Sequence, residues 1–409
     1  MRHLPLNPAL SRMLILLSWW LLPGMLSAQG ASIVLVGQND PLVDRIHLQE
    51  AIDSTPSRGM LKLRGTFQLD GGSILLDRGD ITLQGWAEDN DGDGRTNEDW
   101  ADGVDNDEDG LIDEDGWDTV IQGIVNPDGL PAGDIDVSTF FNRGLMLQGF
   151  TGAEQKVAIR NIEFRDHNRA LSIQPDFLST GSACPDFALT GGSLKKLTIQ
   201  GNLFVNNFRS VQIIGSVEQS DLKENTVVDG GAVDLLLAGG SIACFGTTGP
   251  LPIGTPHGLR LRENLIRNGN IAIFGSTLED TEVKGNVIED MVLGIFMRND
   301  TTPTIKNNAV SRTVQGITVF GPATQGIIRE NLVVDSSVVG IFLLGGATGF
   351  VVKGNTLLGS ASNDIFLDST TFGNLIFAHP TDIILDAGEN TVIIEEEDLR
   401  FQGSEEVAL

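Results

Sequence analysis

Residues 283–286 read Val283-Lys284-Gly285-Asn286, and the same phrase returns along the C-terminal two thirds of the chain. Before it stand Ile199-Gln200-Gly201-Asn202, Leu222-Lys223-Glu224-Asn225 and Leu261-Arg262-Glu263-Asn264. After it stand Ile305-Lys306-Asn307-Asn308, Ile328-Arg329-Glu330-Asn331 and Val352-Lys353-Gly354-Asn355. The asparagines are spaced by 23, 39, 22, 22, 23 and 24 residues, and 39 is one repeat of 23 plus an insertion of 16. An earlier copy, Ile159-Arg160-Asn161-Ile162, has Ile at the Asn position. A fixed period of this length is the mark of stacked repeats.

A second phrase follows each asparagine. It reads Gly294-Ile295-Phe296-Met297-Arg298, Gly316-Ile317-Thr318-Val319-Phe320, Gly340-Ile341-Phe342-Leu343-Leu344 and Asp364-Ile365-Phe366-Leu367-Asp368. Apolar and β-branched residues alternate with a period of two, which is the pattern of strands. Gly and Asn mark corners where left-handed backbone is needed. Short strands joined by corners at a constant period wind into a parallel coil with rungs about 4.8 Å apart. Ile295, Ile317, Ile341 and Ile365 are then one inward column, and Met297, Val319, Leu343 and Leu367 the next. The asparagines stack inside a corner, each amide bonding backbone or the next amide.

On these phrases the chain resembles the right-handed parallel β-helix proteins of the pectin-lyase-like superfamily, over residues 30–395. The expected fold class is all-β, a solenoid of rungs about 22 residues long with a short N-terminal capping helix. That helix is expected over about 42–54, with Asp40-Pro41 at its start, and members of the family commonly plug the first coil in this way. Strands follow at Leu61-Lys62-Leu63-Arg64-Gly65-Thr66-Phe67 and Ile81-Thr82-Leu83-Gln84-Gly85. Residues 29–395 read as one domain, with regular rungs at 155–368, an insertion at 89–118 and a tail at 396–409. The fold specifies no chemistry, because it hosts lyases, hydrolases, esterases, epimerases and non-catalytic surface proteins.

The first 28 residues read as a secretory signal. Arg2 and Arg12 precede the apolar run Met13 to Leu22, Pro23-Gly24 breaks it, and Leu26-Ser27-Ala28 offers a cleavage site. The run is too short to span a bilayer, and no other window is apolar enough for a transmembrane helix. The expected location is outside the cytoplasm: extracellular, cell-surface or periplasmic. Cys184 and Cys244 lie in the two long insertions, where a disulfide between them or two buried thiols are both compatible with export.

The chain of 409 residues carries 55 Asp+Glu against 27 Lys+Arg, a net charge of −28. That sign argues against a nucleic-acid partner. The charge is concentrated: Glu88 to Asp118 holds 15 acidic side chains and one basic one, Arg95. Within it, residues 89–99 and 105–115 repeat one pattern at an offset of 16. Carboxylates stand at positions 1, 3 and 5, Gly at 6 and Asn or Asp at 9, as in an EF-hand loop. Alternate oxygens wrap one hard cation, and the glycine permits the sharp turn. The expected structural Ca2+ ligands are Asp89, Asp91, Asp93 and Asn97 in the first loop, and Asp105, Asp107, Asp109 and Asp113 in the second. The twelfth position is Trp100 or Gly116, where an EF-hand has Glu. The loops therefore resemble thrombospondin type 3 or dockerin repeats more than a sensor EF-hand.

The outer faces carry weaker signals. A basic column lies two residues before the Asn position: Arg160, Gln200, Lys223, Arg262, Lys284, Lys306, Arg329 and Lys353. It reads either as a track for an acidic polysaccharide or as a solvated face with local Glu partners. Two more outward columns follow the corner. One is aligned as Ser172, Gln212, Asp234, Ala272, Phe296, Thr318, Phe342 and Phe366. The other is aligned as Gln174, Ile214, Leu236, Phe274, Arg298, Phe320, Leu344 and Asp368. The substrate-binding residues chosen from them are Arg298, Phe274, Phe296, Phe320 and Phe342, because aromatic faces stack on sugars and Arg grips carboxylates.

Catalytic residues are not legible. Asp234, Arg298 and Asp368 stand apart, His257 sits in an insertion, and no Asp-Asp or Gly-His-Gly phrase of the polygalacturonase kind occurs. The leading reading is a secreted, calcium-stabilised β-helix protein that binds an extended carbohydrate or cell-surface glycan without evident catalysis. The alternative is a polysaccharide lyase, hydrolase or epimerase acting on acidic polysaccharide around Arg298.

Overall fold

The computed structural model describes residues 32–86, 117–124, 142–151, 155–175, 177–179, 187–189, 192–242 and 251–395. The eight expected calcium ligands, Cys184 and Cys244 lie outside the described residues.

Three strands make one rung. In one rung they are Thr304–Lys306, Ala309–Ser311 and Gln315–Phe320. Each pairs in parallel with its counterpart one repeat on, Ile327–Arg329, Leu332–Val334 and Val339–Leu344. Repeated along the chain, this pairing joins the strands into a 32-stranded sheet that coils on itself. Parallel neighbours joined by crossovers take the right-handed path, so the molecule is a right-handed parallel β-helix. The two expected inward columns are buried throughout: Ile295, Ile317, Ile341 and Ile365, then Met297, Val319, Leu343 and Leu367.

The corner between the first and second strands is held by an asparagine ladder. Asn286 Nδ2 donates to Asn308 Oδ1 at 2.9 Å and to Leu261 O at 3.0 Å. Its own Oδ1 accepts from Asn264 Nδ2 at 2.8 Å and from the Asn264 backbone amide at 3.1 Å. The pattern runs from Asn202 to Asn355 and satisfies polar groups that no water reaches. At Asn202 it meets the odd first copy, where the backbone N–H of Ile162 donates to Asn202 Oδ1. The left-handed residue is the one before the ladder asparagine. Asn161, Gly201, Glu224, Glu263, Gly285, Asn307, Glu330 and Gly354 have φ from 54° to 66°. Three glutamates there show that stacking across rungs holds a conformation that L side chains adopt uncommonly.

The first coil is closed by helix α1, Pro41–Ser54, with Asp40 as N-cap accepting from the Leu42 amide at 2.9 Å. Leu48, Ala51 and Ile52 face the coil. Asp44 is buried among them because its carboxylate accepts backbone amides from Gln38, Asp40 and Gln68. Its negative charge also sits in the first helical turn, where it is favoured.

The register corrects the two outward columns. Leu236 pairs with Phe274, and Phe274 pairs with Phe296. These residues share one column with Ser172, Gln212, Thr318, Phe342 and Phe366. The other column runs through Ile214, Ala238, Ser276, Arg298, Phe320 and Leu344. Phe274 and Phe296 each stand ten residues after their ladder asparagines, Asn264 and Asn286, so the aligned columns are off by two at the Asp234 and Ala272 rungs, whereas Phe296 holds its place. Asp234 and Ala272 fall instead beside Gly294, Gly316 and Gly340. At that column a Cβ on Gly294 or Gly316 would lie 2.5 or 2.6 Å from the next rung's carbonyl oxygen. Asp234 is not on the outer face; it is 1% exposed.

Candidate functional site

The third strand of each rung carries the aromatic face. Phe274 and Phe296 stack with ring centroids 5.4 Å apart and planes within 5°. Phe296 meets Phe320 on the next rung at 6.4 Å. Phe342 and Phe366 meet edge to face at 4.8 Å. These rings are partly exposed, and Phe320 reaches 38%. The strand period explains the arrangement: alternate residues fill the coil, and the rest present one ring per rung to the outside. Arg298 is exposed beside them, its guanidinium carbon 5.8 Å from the Phe320 ring centroid. The structure thus brings Phe274, Phe296, Phe320 and Arg298 together, with Phe342 beginning a second ring pair beyond Thr318.

Toward the N-terminus the same face closes. Met146, Ser172, Gln212, Gln148 and Gln174 occupy the equivalent columns and are buried. Beside them Arg143, Arg169 and Arg209 stand on three successive rungs. Burial pushes the Arg143 guanidinium down to about 9, and the neighbouring Arg169 and Arg209 charges push the same way. Arg209 donates to Gln212 Oε1 at 3.0 Å. Sequence reading missed this column. Its signal was an Arg two residues before each inward Leu145, Leu171 and Val211.

The isolated ionisable residues separate by environment. Asp368 turns the chain: its Oδ1 accepts from the Thr370 amide and hydroxyl, and its Oδ2 from the Gly345 amide. Burial alone would raise its carboxyl, but these bonds outweigh burial and hold it below the usual range. Asp234 packs against Gly230 and Gly269, and burial pushes it well above the usual carboxylate range. Glu163 is buried beside Arg165; burial raises its carboxyl against the pull of that Arg. His167 is buried with Nε2 3.0 Å from Ile121 O, and burial pushes it down to about 4. His257 Nδ1 lies 3.7 Å from Glu279 and 3.6 Å from Asp280 at the surface. None of these brings a second carboxylate to the aromatic face.

The basic column is in the expected register from Arg160 to Lys353 on the first strand, and Gln84 extends it by one rung. Several of its cations are met by local carboxylates. Arg262 pairs with Asp221 at 2.7 Å, Lys306 with Glu282 at 2.6 Å and Lys223 with Glu224 at 3.0 Å. Lys306 holds the Glu282 carboxyl low, chiefly through their hydrogen bond. Carboxylates beside the column thus neutralise Lys223, Arg262, Lys306 and Arg329, which favours the solvated-face reading.

A family model described as "Periplasmic copper-binding protein (NosD)" matches residues 245–395, the later rungs. No curated protein matches the chain. Among solved structures, the Agl-KA catalytic domain superposes with a TM-score of 0.55 at 13% identity, over 90% of this chain and 69% of that one. The catalytic unit of a GH87 α-1,3-glucanase from Streptomyces thermodiastaticus gives a TM-score of 0.51 at 12% identity, over 89% and 69%. At such identities the likeness is one of fold.

Copper is taken by thiolate, thioether or imidazole. Residues 245–395 contain no Cys, and hold His257, His379, Met291 and Met297. Both methionines are buried in the coil. Among the described residues no three His, Cys, Asp or Glu come together to hold a metal. The described residues do not fit a copper centre.

Proposed function

We propose that this is an exported β-helix protein that acts on a polysaccharide lying across the third-strand face from Phe274 to Phe366. The observation that carries the reading is the run of partly exposed phenyl rings at rung spacing, with Arg298 at its border. A sugar chain can lay the C–H face of its rings on such a platform, and Arg298 supplies a bidentate donor for a carboxylate or for hydroxyls. The burial of Met146, Ser172 and Gln212 gives the face one closed end, which favours a cleft over a flat surface. Export is supported by the leader-like first 28 residues and by the NosD match.

Enzymatic action ranks above simple binding because the two superposed folds are catalytic units, one of an α-1,3-glucanase. That support is of fold alone. A binding function without turnover is the second reading, favoured by one observation: no pair of carboxylates stands on the open face among the described residues, and a glycosidase needs two.

The test is turnover. The mature protein is incubated with α-1,3-glucan, polyuronates and neutral β-glucans, and reducing ends and unsaturated products are followed. Product from one polymer, reduced at least tenfold by Arg298→Ala and by the Phe296→Ala/Phe342→Ala double variant, is the expected result. Binding without product, lost in the same variants, would select the second reading. A polymer affinity unaffected by both variants would remove the face from either.

A further inference from the structure

We propose that the pocket beside Trp86, on the first-strand side of the coil, is a separate glycan site that takes an anionic pyranose. It goes beyond the reading above, since it lies on a different strand of the rung and uses none of the aromatic-face residues.

The pocket measures about 310 Å³ and is lined by Met60, Lys62, Gln84, Gly85 and Trp86. That volume is at the lower end of small-molecule sites, the scale of one sugar residue with its substituent. Its lining combines an indole, a thioether, an ammonium and an amide, with no carboxylate among the described residues. Trp86 is anchored rather than loose. Its backbone N–H is held at Leu63 O (2.7 Å) and Thr119 Oγ1 (2.9 Å), and Thr119 is itself fully buried. Lys62 Nζ lies 5.9 Å and the Arg64 guanidinium carbon 5.1 Å from the indole centroid. Cation and aromatic face are therefore presented together.

The register extends this positive ground. Lys62 pairs with Gln84 and Gln84 with Arg160, so a cation, an amide and a cation stand on successive rungs about 4.8 Å apart. Farther along the column, Lys223, Arg262 and Lys306 are each matched by a carboxylate. At the pocket, Lys62 has no carboxylate partner among the described residues. In a chain of net charge −28, a local reversal of sign beside an aromatic platform selects an anionic ligand. A neutral sugar would offer Lys62 hydroxyl acceptors but no counter-charge. The chemistry is shared by a carboxylated and a sulfated pyranose: C–H face on the indole, anion on Lys62, hydroxyls on the Gln84 amide.

Calorimetry on the mature protein with a hexagalacturonate, a sulfated galactan hexasaccharide and a neutral maltohexaose tests the assignment. Binding of at least one anionic probe is expected, weakening with added salt and falling at least tenfold in Lys62→Gln. Binding by the uronate alone assigns a carboxylate, and binding by the sulfated probe alone assigns a sulfate ester. Trp86→Ala should abolish binding while Trp86→Phe retains most of it, and Lys62→Gln serves as the fold-neutral variant if Trp86→Ala melts early. The binding event that Lys62→Gln weakens should persist in the Phe296→Ala/Phe342→Ala variant, whatever that variant loses at the aromatic face. The assignment is overturned if neither anionic probe binds, if maltohexaose binds as tightly, if Lys62→Gln binds unchanged, or if only the phenylalanine variant loses affinity. Absence of polymer turnover in the parent, with probe binding at Trp86 intact, would instead count against the aromatic-face reading alone.

Discussion

Asp300 is a carboxyl group buried at a corner of the coil. Its Oδ1 accepts the Leu278 amide at 2.7 Å, and its Oδ2 has no hydrogen-bond partner among the described residues. Burial pushes it up to about 7, against the pull of backbone amides at Leu278 and Arg298. The folded chain thus keeps a proton that the unfolded chain releases near pH 4. A group raised on folding contributes stability that is fully present below about pH 4 and is lost as pH rises through about 7. Asp300→Asn keeps the Oδ1 acceptor and removes the ionisation. At pH 8 the variant should exceed the parent by on the order of 2–4 kcal/mol, and at pH 4 the two should match. Urea melts at both pH values decide it; equal midpoints at pH 8 would show that the carboxyl ionises freely. A strand period of two places Asp234 on the outer face. The same burial that perturbs Asp300 acts on it more strongly, and only three-dimensional register reveals this.

At the scale of the rung, the ladder asparagine is the element that converts sequence period into stacked corners. Each links two neighbouring rungs through donor and acceptor at once. Asn286→Ala would leave buried acceptors at Leu261 O and Asn308 Oδ1, and a buried donor at Asn264, short of a partner. The expected cost is about 3 kcal/mol or more, read as a lowered Tm or urea midpoint. A loss below about 0.5 kcal/mol would mean that water replaces the amide. This element was legible because the Asn recurs at a near-constant spacing and nothing else satisfies a corner so compactly. Helix α1 was legible for a similar reason: Asp40-Pro41 is a start signal that tertiary packing did not override. The aromatic face was legible in composition but not in register. The corner between second and third strands holds a variable number of residues, and a slip of two keeps the inside-outside alternation intact, so pattern alone cannot detect it. The buried Arg143–Arg169–Arg209 column stayed invisible because Arg is mostly an exposed residue, and burial of charge is a property of what lies above the strand.

For the molecule as a whole, charge is the unsettled quantity. A net charge of −28 repels itself, and the described coil answers with local pairs such as Arg312 with Asp290 and Arg267 with Glu289. The segment Glu88 to Asp118 has no such answer in its own sequence, with 15 acids against Arg95. A doubled DxDxDG pattern is the arrangement in which a hard divalent cation supplies the compensation. Calcium binding to the folded chain alone would raise stability with the logarithm of its free concentration. The mature protein stripped with a chelator should therefore melt lower than the same protein in millimolar Ca2+. At about a hundredfold excess over Kd, one site contributes about 2.7 kcal/mol. Mg2+ should restore less, because it demands near-octahedral geometry and dehydrates reluctantly. The Asp91→Ala/Asp107→Ala variant should melt at one temperature with or without calcium, whereas Lys284→Ala should keep the full shift. A parent Tm that ignores both chelator and calcium would reduce the acidic segment to a solvated loop, and its charge would then be a cost that the rest of the coil has to absorb.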